Sequence, residues 1–135
     1  MYNGYWIMAV NKYAYRFFFL FFLVAWHCGV PQEGKSLYTE NCVNCHMADG
    51  SGLPGIIPAI NASPVIKGPY QELACLLYNG RQPADTIKSF VAMPSFKTLT
   101  ETQITNLINY VKKEWTEDPQ FVSEQEVAAA VKACQ

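Results

Sequence analysis

The chain has only two histidines in 135 residues, His27 and His46, and five cysteines. That scarcity limits what can be built. A structural zinc centre needs four ligands. Cys42-x-x-Cys45 has no second C-x-x-C and no H-x-x-x-H pair to complete one, because His27, Cys28, Cys75 and Cys134 stand apart from one another. Strand patterning is missing too. Nothing ahead of Cys42 reads as a strand, whereas a thioredoxin-type dithiol belongs in a βαβ pattern. Acidic residues are absent before Glu33, and a basic surplus is absent after it. Beyond residue 28, eight Lys and Arg against eleven Asp and Glu leave a net charge of −3. A mildly acidic domain argues against nucleic acid as a partner and against a strongly basic docking ring. Long apolar runs are also lacking. The run Phe17–Trp26 holds ten residues, short of the roughly 20 that span a bilayer.

What is present is Cys42-Val43-Asn44-Cys45-His46. C-x-x-C-H is the attachment signature for a c-type haem. Thiols three positions apart fall near one face of a helical turn, so both can add to the two vinyl groups on one edge of a porphyrin. His46 follows at once and can serve as the proximal iron ligand. A plain disulfide, or two buried cysteines, would leave the histidine at that spacing without a reason.

A haem with histidine on one side needs a ligand on the other. Val91-Ala92-Met93-Pro94-Ser95-Phe96 offers one. A thioether is a soft sixth ligand that favours Fe(II) and raises the reduction potential. Pro94 biases Met93 toward an extended conformation, suited to a loop that presents a side chain inward. A lone methionine is ordinarily core filler, but its rivals are few. Met47 is too close to His46 to reach the opposite face, and Met1 and Met8 precede the apolar run. Pro58 has two readings of equal weight. A carbonyl near it could accept from His46 Nδ1–H and fix the ring, or it is simply a turn proline.

Lys12 and Arg16 lead into Phe17–Trp26, the shape of a secretory signal. Residues 1–28 are accordingly expected to be a signal peptide, a lipoprotein signal or a membrane anchor, with residues 29–135 as the haem domain. Cys28 directly after the apolar core admits acylation; ordinary cleavage nearby and an uncleaved anchor are the competing readings. Export places the protein in the periplasm or on the outer face of a membrane. Thioether formation to haem in bacteria takes place there.

Along the domain, residues 34–45 read as a first helix with Leu37, Tyr38 and Asn41-Cys42 facing the core and the haem. Tyr38 reads as core packing. Residues 46–63, rich in Gly and Pro, read as a loop. Residues 69–79 form a short helix with Leu73, Leu76 and Leu77 as its buried stripe, and Cys75 a small buried apolar residue. Residues 81–90 read as a polar linker. Thr100 and Gln103 predict a capping box, with Leu99 and Ile104 as a hydrophobic staple. Ile104, Leu107, Ile108, Val111 and Trp115 mark the inner face of that helix. Ser123 and Glu126 repeat the device for a last helix ending near Cys134. Cys75 and Cys134 are expected to be free thiols rather than a disulfide.

Taken together, these residues resemble a bacterial monohaem class I cytochrome c. The resemblance rests on Gly34-Lys35-x-Leu37-Tyr38, Asn41-Cys42-x-x-Cys45-His46, Asp49-Gly50-x-Gly52 with the Gly55–Pro58 loop, Tyr78-Asn79-Gly80, Met93-Pro94-x-Phe96, Leu99-Thr100 and Tyr110-Val111. It covers residues 33–116, with 117–135 as a helical extension. Ala59-Ile60 departs from it, since a second proline and a leucine often follow there. The resemblance implies a small all-α fold of about four to five helices round one covalent haem, its first and last core helices crossing near Gly34, Tyr38 and Tyr110. It implies thioethers to Cys42 and Cys45, axial ligands His46 and Met93, and Pro58 supporting His46.

The function expected is one-electron transfer without protein acid–base or nucleophilic catalysis. The main reading is a carrier in a respiratory or related redox chain, with a membrane oxidoreductase or terminal reductase as donor or acceptor. The alternatives are a haem-bearing electron-entry subunit of a larger oxidoreductase, and a ligand-binding haem sensor or peroxidase-like enzyme. An enzyme would need a distal His or Arg, and outside the haem motif only His27 and the weak candidate Arg81 are available.

Overall fold

A computed structural model describes residues 32–83 and 91–135; the leader with Cys28, and most of the expected polar linker, lie outside them. The described residues form six α-helices and no strand. These are α1 (Gln32–Asn41), α2 (Val43–His46), α3 (Pro64–Lys67), α4 (Tyr70–Asn79), α5 (Glu101–Trp115) and α6 (Glu124–Ala133), with a 3-10 turn at Ile60–Ala62. The all-α class is as expected. The count exceeds four to five because α2 and α3 are single turns.

The expected first helix is broken at Cys42, whose backbone (φ −120, ψ −30) leaves the helical range. Hydrogen bonds continue across the break. Cys42 N–H donates to Tyr38 O at 2.8 Å, and Cys45 and His46 N–H both donate to Cys42 O, at 3.1 and 2.8 Å. The chain thus turns without leaving a buried donor unpaired, and the break points α2 at the cleft described below.

α5 is the central strut. Its inner face, Ile104, Leu107, Ile108 and Val111, is buried, with Trp115 half-buried. The expected capping box is present. Thr100 Oγ1 accepts from Gln103 N–H at 3.2 Å, and Gln103 Oε1 accepts from Thr100 N–H at 2.9 Å. α6 starts on the same device at Ser123 and Glu126. α1 crosses α5 at Gly34, where a Cβ would come within 2.7 Å of Tyr110 Cβ. The helices approach so closely only because that position has no side chain.

Two expectations need correction. Cys75 and Cys134 form a disulfide, with Cα atoms 5.5 Å apart, within the span a disulfide bridges. Cys75 is therefore not a buried apolar filler; it is half-buried and joins α4 to the residue capping α6. Within α4, Leu73, Ala74 and Leu77 are buried and Leu76 only partly. Leu76 instead faces the cleft.

Candidate haem site

One apolar cleft gathers the residues singled out by the sequence. Cys42, Cys45, His46, Pro58 and Met93 all line it. It is open to solvent at its mouth and lined mainly by apolar side chains with a few polar groups, as ligand clefts usually are. Ile60, Ile66, Leu73, Leu77 and Leu107 furnish much of its wall. An apolar wall excludes water, and a low dielectric is one of the levers by which a protein tunes a haem.

α2 and its N-cap residue Cys42 present the thiols and the imidazole to the cleft. Cys42 and Cys45 are both free, Cys42 buried and Cys45 exposed. Burial pushes the Cys42 thiol up to about 11, with Cys45 adding to the effect. The His46 ring is pushed below its ordinary 6.5 by burial, against the Pro58 carbonyl, which pulls it the other way. His46 is therefore held neutral near pH 7, the form that ligates a metal. Its Nδ1 is buried with no hydrogen bond of ordinary geometry. Such an orphan costs about 1–3 kcal/mol and needs a reason. The Pro58 backbone lies near enough to act on the ring, but no hydrogen bond closes between them. It comes near because Gly52 has no side chain: a Cβ there would lie 2.8 Å from Pro58 O.

Met93, which lines the same cleft, is held by backbone pairing. Arg81 N–H donates to Met93 O at 2.9 Å and Met93 N–H to Arg81 O at 2.8 Å. Phe96 N–H donates to Leu77 O at 2.9 Å, tying the same loop to α4. The antiparallel pair was missed in sequence because a two-residue bridge has no periodic signal. Its trace was the extended bias that Pro94 places on Met93. Arg81 itself also lines the cleft.

The donors fit a covalently bound haem. Two free thiols, a neutral, partly buried imidazole and a soft thioether all line the one cleft. Among the described residues, no three His, Cys, Asp or Glu side chains group to hold a metal ion by themselves, and the C-x-x-C follows a helix rather than a strand. Cys42 and Cys45 would hold the porphyrin, and His46 and Met93 would take the iron.

The chain is similar to the cytochrome c subunit of a quinone alcohol dehydrogenase from Gluconobacter oxydans (strain 621H), with 31% identity over 91 residues, 64% of this chain and 19% of the relative. The corresponding subunit of Komagataeibacter europaeus is 29% identical, over 61% of this chain and 18% of the relative. The gluconate 2-dehydrogenase cytochrome c subunit of Pantoea cypripedii is 27% identical, over 67% of this chain and 22% of the relative. This chain thus spans about a fifth of the length of these relatives. The Cytochrome c family model matches residues 31–115, from the start of α1 to the end of α5, so the chain belongs to the cytochrome c family.

Proposed function

We propose that this protein is a one-electron transfer module with a single covalent haem c, working as the haem-bearing subunit of a larger oxidoreductase rather than as a free carrier. One observation carries the electron-transfer reading: Cys42, Cys45, His46 and Met93 line one apolar cleft, with the Met93 backbone paired to Arg81. The single C-x-x-C-H in the sequence supports one haem. The subunit reading draws support from the relatives, which are themselves cytochrome c subunits of dehydrogenases. It replaces the free carrier as the favoured reading, and the partner is a dehydrogenase of that kind.

When bound, the haem supplies a one-electron redox couple. The protein's part is to hold, orient and shield. Cys42 and Cys45 anchor the porphyrin, His46 is kept neutral by burial, and the Arg81–Met93 pairing holds the thioether donor in a fixed loop. No protein group is required to transfer a proton. The basic lead and apolar run ahead of Cys28 support export to the periplasm or the outer membrane face, and membrane attachment through that segment or a lipid on Cys28.

Optical spectra of the purified protein, oxidised and reduced, with and without carbon monoxide, test the site. A weak far-red band when oxidised and no shift with carbon monoxide are expected. Met93→Ala should abolish the far-red band and let carbon monoxide bind. An immediate carbon monoxide shift in the unsubstituted protein would replace electron transfer by a ligand-binding haem enzyme or sensor, with Arg81 as its distal candidate. Co-purification with a dehydrogenase separates subunit from carrier.

A further inference from the structure

We propose that Tyr38 and Trp115 are positioning residues for His46, holding two backbone carbonyls of the turn that leaves it and so fixing a strained residue beside the ligand. The inference rests on the haem-binding reading above.

The strain lies at Met47, directly after His46. Its backbone sits at φ 60, ψ 163, a region open essentially to glycine alone. Among the described residues it is the one non-glycine with positive φ. Strained backbone persists only where its surroundings over-determine it, and here the surroundings are specific. The Tyr38 phenol, on a side chain 2% exposed, donates to Met47 O at 2.7 Å. Gly50 N–H donates to the same carbonyl at 3.3 Å. Two residues beyond Met47, Asp49 O accepts from Trp115 Nε1–H at 3.0 Å. The indole packs against Gly50, where a Cβ would lie 2.6 Å from its Cε2 and Nε1.

The two donors brace each other. Tyr38 and Trp115 have ring centroids 5.0 Å apart, and Tyr110 closes the cluster at 5.6 Å from Tyr38 and 5.9 Å from Trp115. These distances lie in the range of favourable aromatic pairs. The cluster ties α1 to the end of α5, so the turn after His46 is held from two helices. Tyr38 also lines the haem cleft.

Packing alone does not explain the hydroxyl. A phenylalanine would fill the same space among apolar neighbours, and only the phenolic O–H reaches Met47. Burial raises the Tyr38 pKa well above its ordinary 10, with Cys42, Tyr110 and Asp49 adding to it, so the group stays a donor throughout the working pH range.

The test uses the haem-bearing protein and four variants: Tyr38→Phe, Trp115→Phe, Met47→Gly, and Tyr38→Phe combined with Met47→Gly. Two quantities are read: the proton NMR shifts moved by the oxidised iron, which report the orientation of the His46 ring, and the urea unfolding midpoint. Glycine adopts the Met47 conformation without strain, so it should need the brace less. Tyr38→Phe should change the iron-shifted pattern and lower the midpoint. Trp115→Phe should move both readings in the same direction. In the Met47→Gly background, Tyr38→Phe should produce less than half of either change. An unchanged iron-shifted pattern in Tyr38→Phe, or equal changes in both backgrounds, would reduce Tyr38 to a packing residue and overturn the proposal. Failure of the unsubstituted protein to take up haem would instead overturn the proposed function itself.

Discussion

At Gly80 the end of α4 and the methionine loop come closer than a side chain allows. Its φ is +70, and a Cβ there would lie 2.7 Å from Pro94 C and 2.8 Å from Ser95 N, beside the Met93 carbonyl. Gly80→Ala should therefore cost twice over. The backbone conformation is strained for any L side chain, at about 1–3 kcal/mol, and the methyl group pushes the loop that carries Met93. Urea unfolding should show the loss, and the far-red band of the oxidised protein should weaken. Gly55→Ala is the control. Its φ is +76 but nothing lies within 4 Å, so it should lower stability by the strain alone and leave the far-red band intact. At this scale the sequence was legible wherever residue type and spacing carry chemistry. Cys42, Cys45, His46 and Met93 stood out by donor type, with few alternatives in the chain, and the structure brings all four to one cleft. Pro58 was half legible, since a proline marks a turn but does not say where its carbonyl points. The hydroxyl of Tyr38 was not legible, because the same residue serves as plain core.

Among the elements, those with a start signal and several turns could be read and single turns could not. α5 and α6 begin at their capping boxes, as Thr100-x-x-Gln103 and Ser123-x-x-Glu126 foretell. α3 covers Pro64–Lys67 and is too short for a hydrophobic period to register. Cys42 was read as mid-helix because the pattern of buried residues runs on through the break. Lys112, in the last turn of α5, is buried, and its ammonium donates to Gly68 O at 2.9 Å, joining α5 to the segment before α4. Its (CH₂)₄ stem covers apolar surface while the head finds a carbonyl. The capping box gives a prediction at this scale. Thr100→Ala removes the acceptor for Gln103 N–H, and should lower stability by about 1 kcal/mol with no change in the haem spectrum. Thr100→Ser keeps the oxygen and should lie near the unsubstituted protein. Thermal unfolding of the three proteins checks it.

At the scale of the described domain, a covalent link ties α4 to the residue capping α6, and the sequence could not pair its partners. Cys75 and Cys134 are 59 positions apart, and nothing in that spacing says whether two Cα atoms approach within disulfide range. The helices around them decide it. α6 buries Val127, Ala130 and Val131 in the core. The connection leading to it is clamped where Asn109 both donates to Val122 O and accepts from Val122 N–H, each at 2.9 Å. Cys134 thereby arrives at α4, where Asn79 Nδ2–H also donates to Cys134 O at 3.1 Å. Closing a loop of this length restricts the unfolded chain by about 4 kcal/mol in the chain-entropy account. That is a large share of the roughly 5–15 kcal/mol that stabilises a typical domain. The paired substitution Cys75→Ser with Cys134→Ser should lower the urea midpoint accordingly, and added dithiothreitol should destabilise the unsubstituted protein but not the variant. The haem site should be spared. Met93 is held through Arg81, and Phe96 through Leu77 O; neither bond involves the disulfide, and the polar and apolar contacts of α6 remain. The far-red band should thus persist in the folded variant. Loss of that band under native conditions would mean that the link also sets the methionine loop, while an unchanged midpoint would mean that α6 docks by its side chains alone.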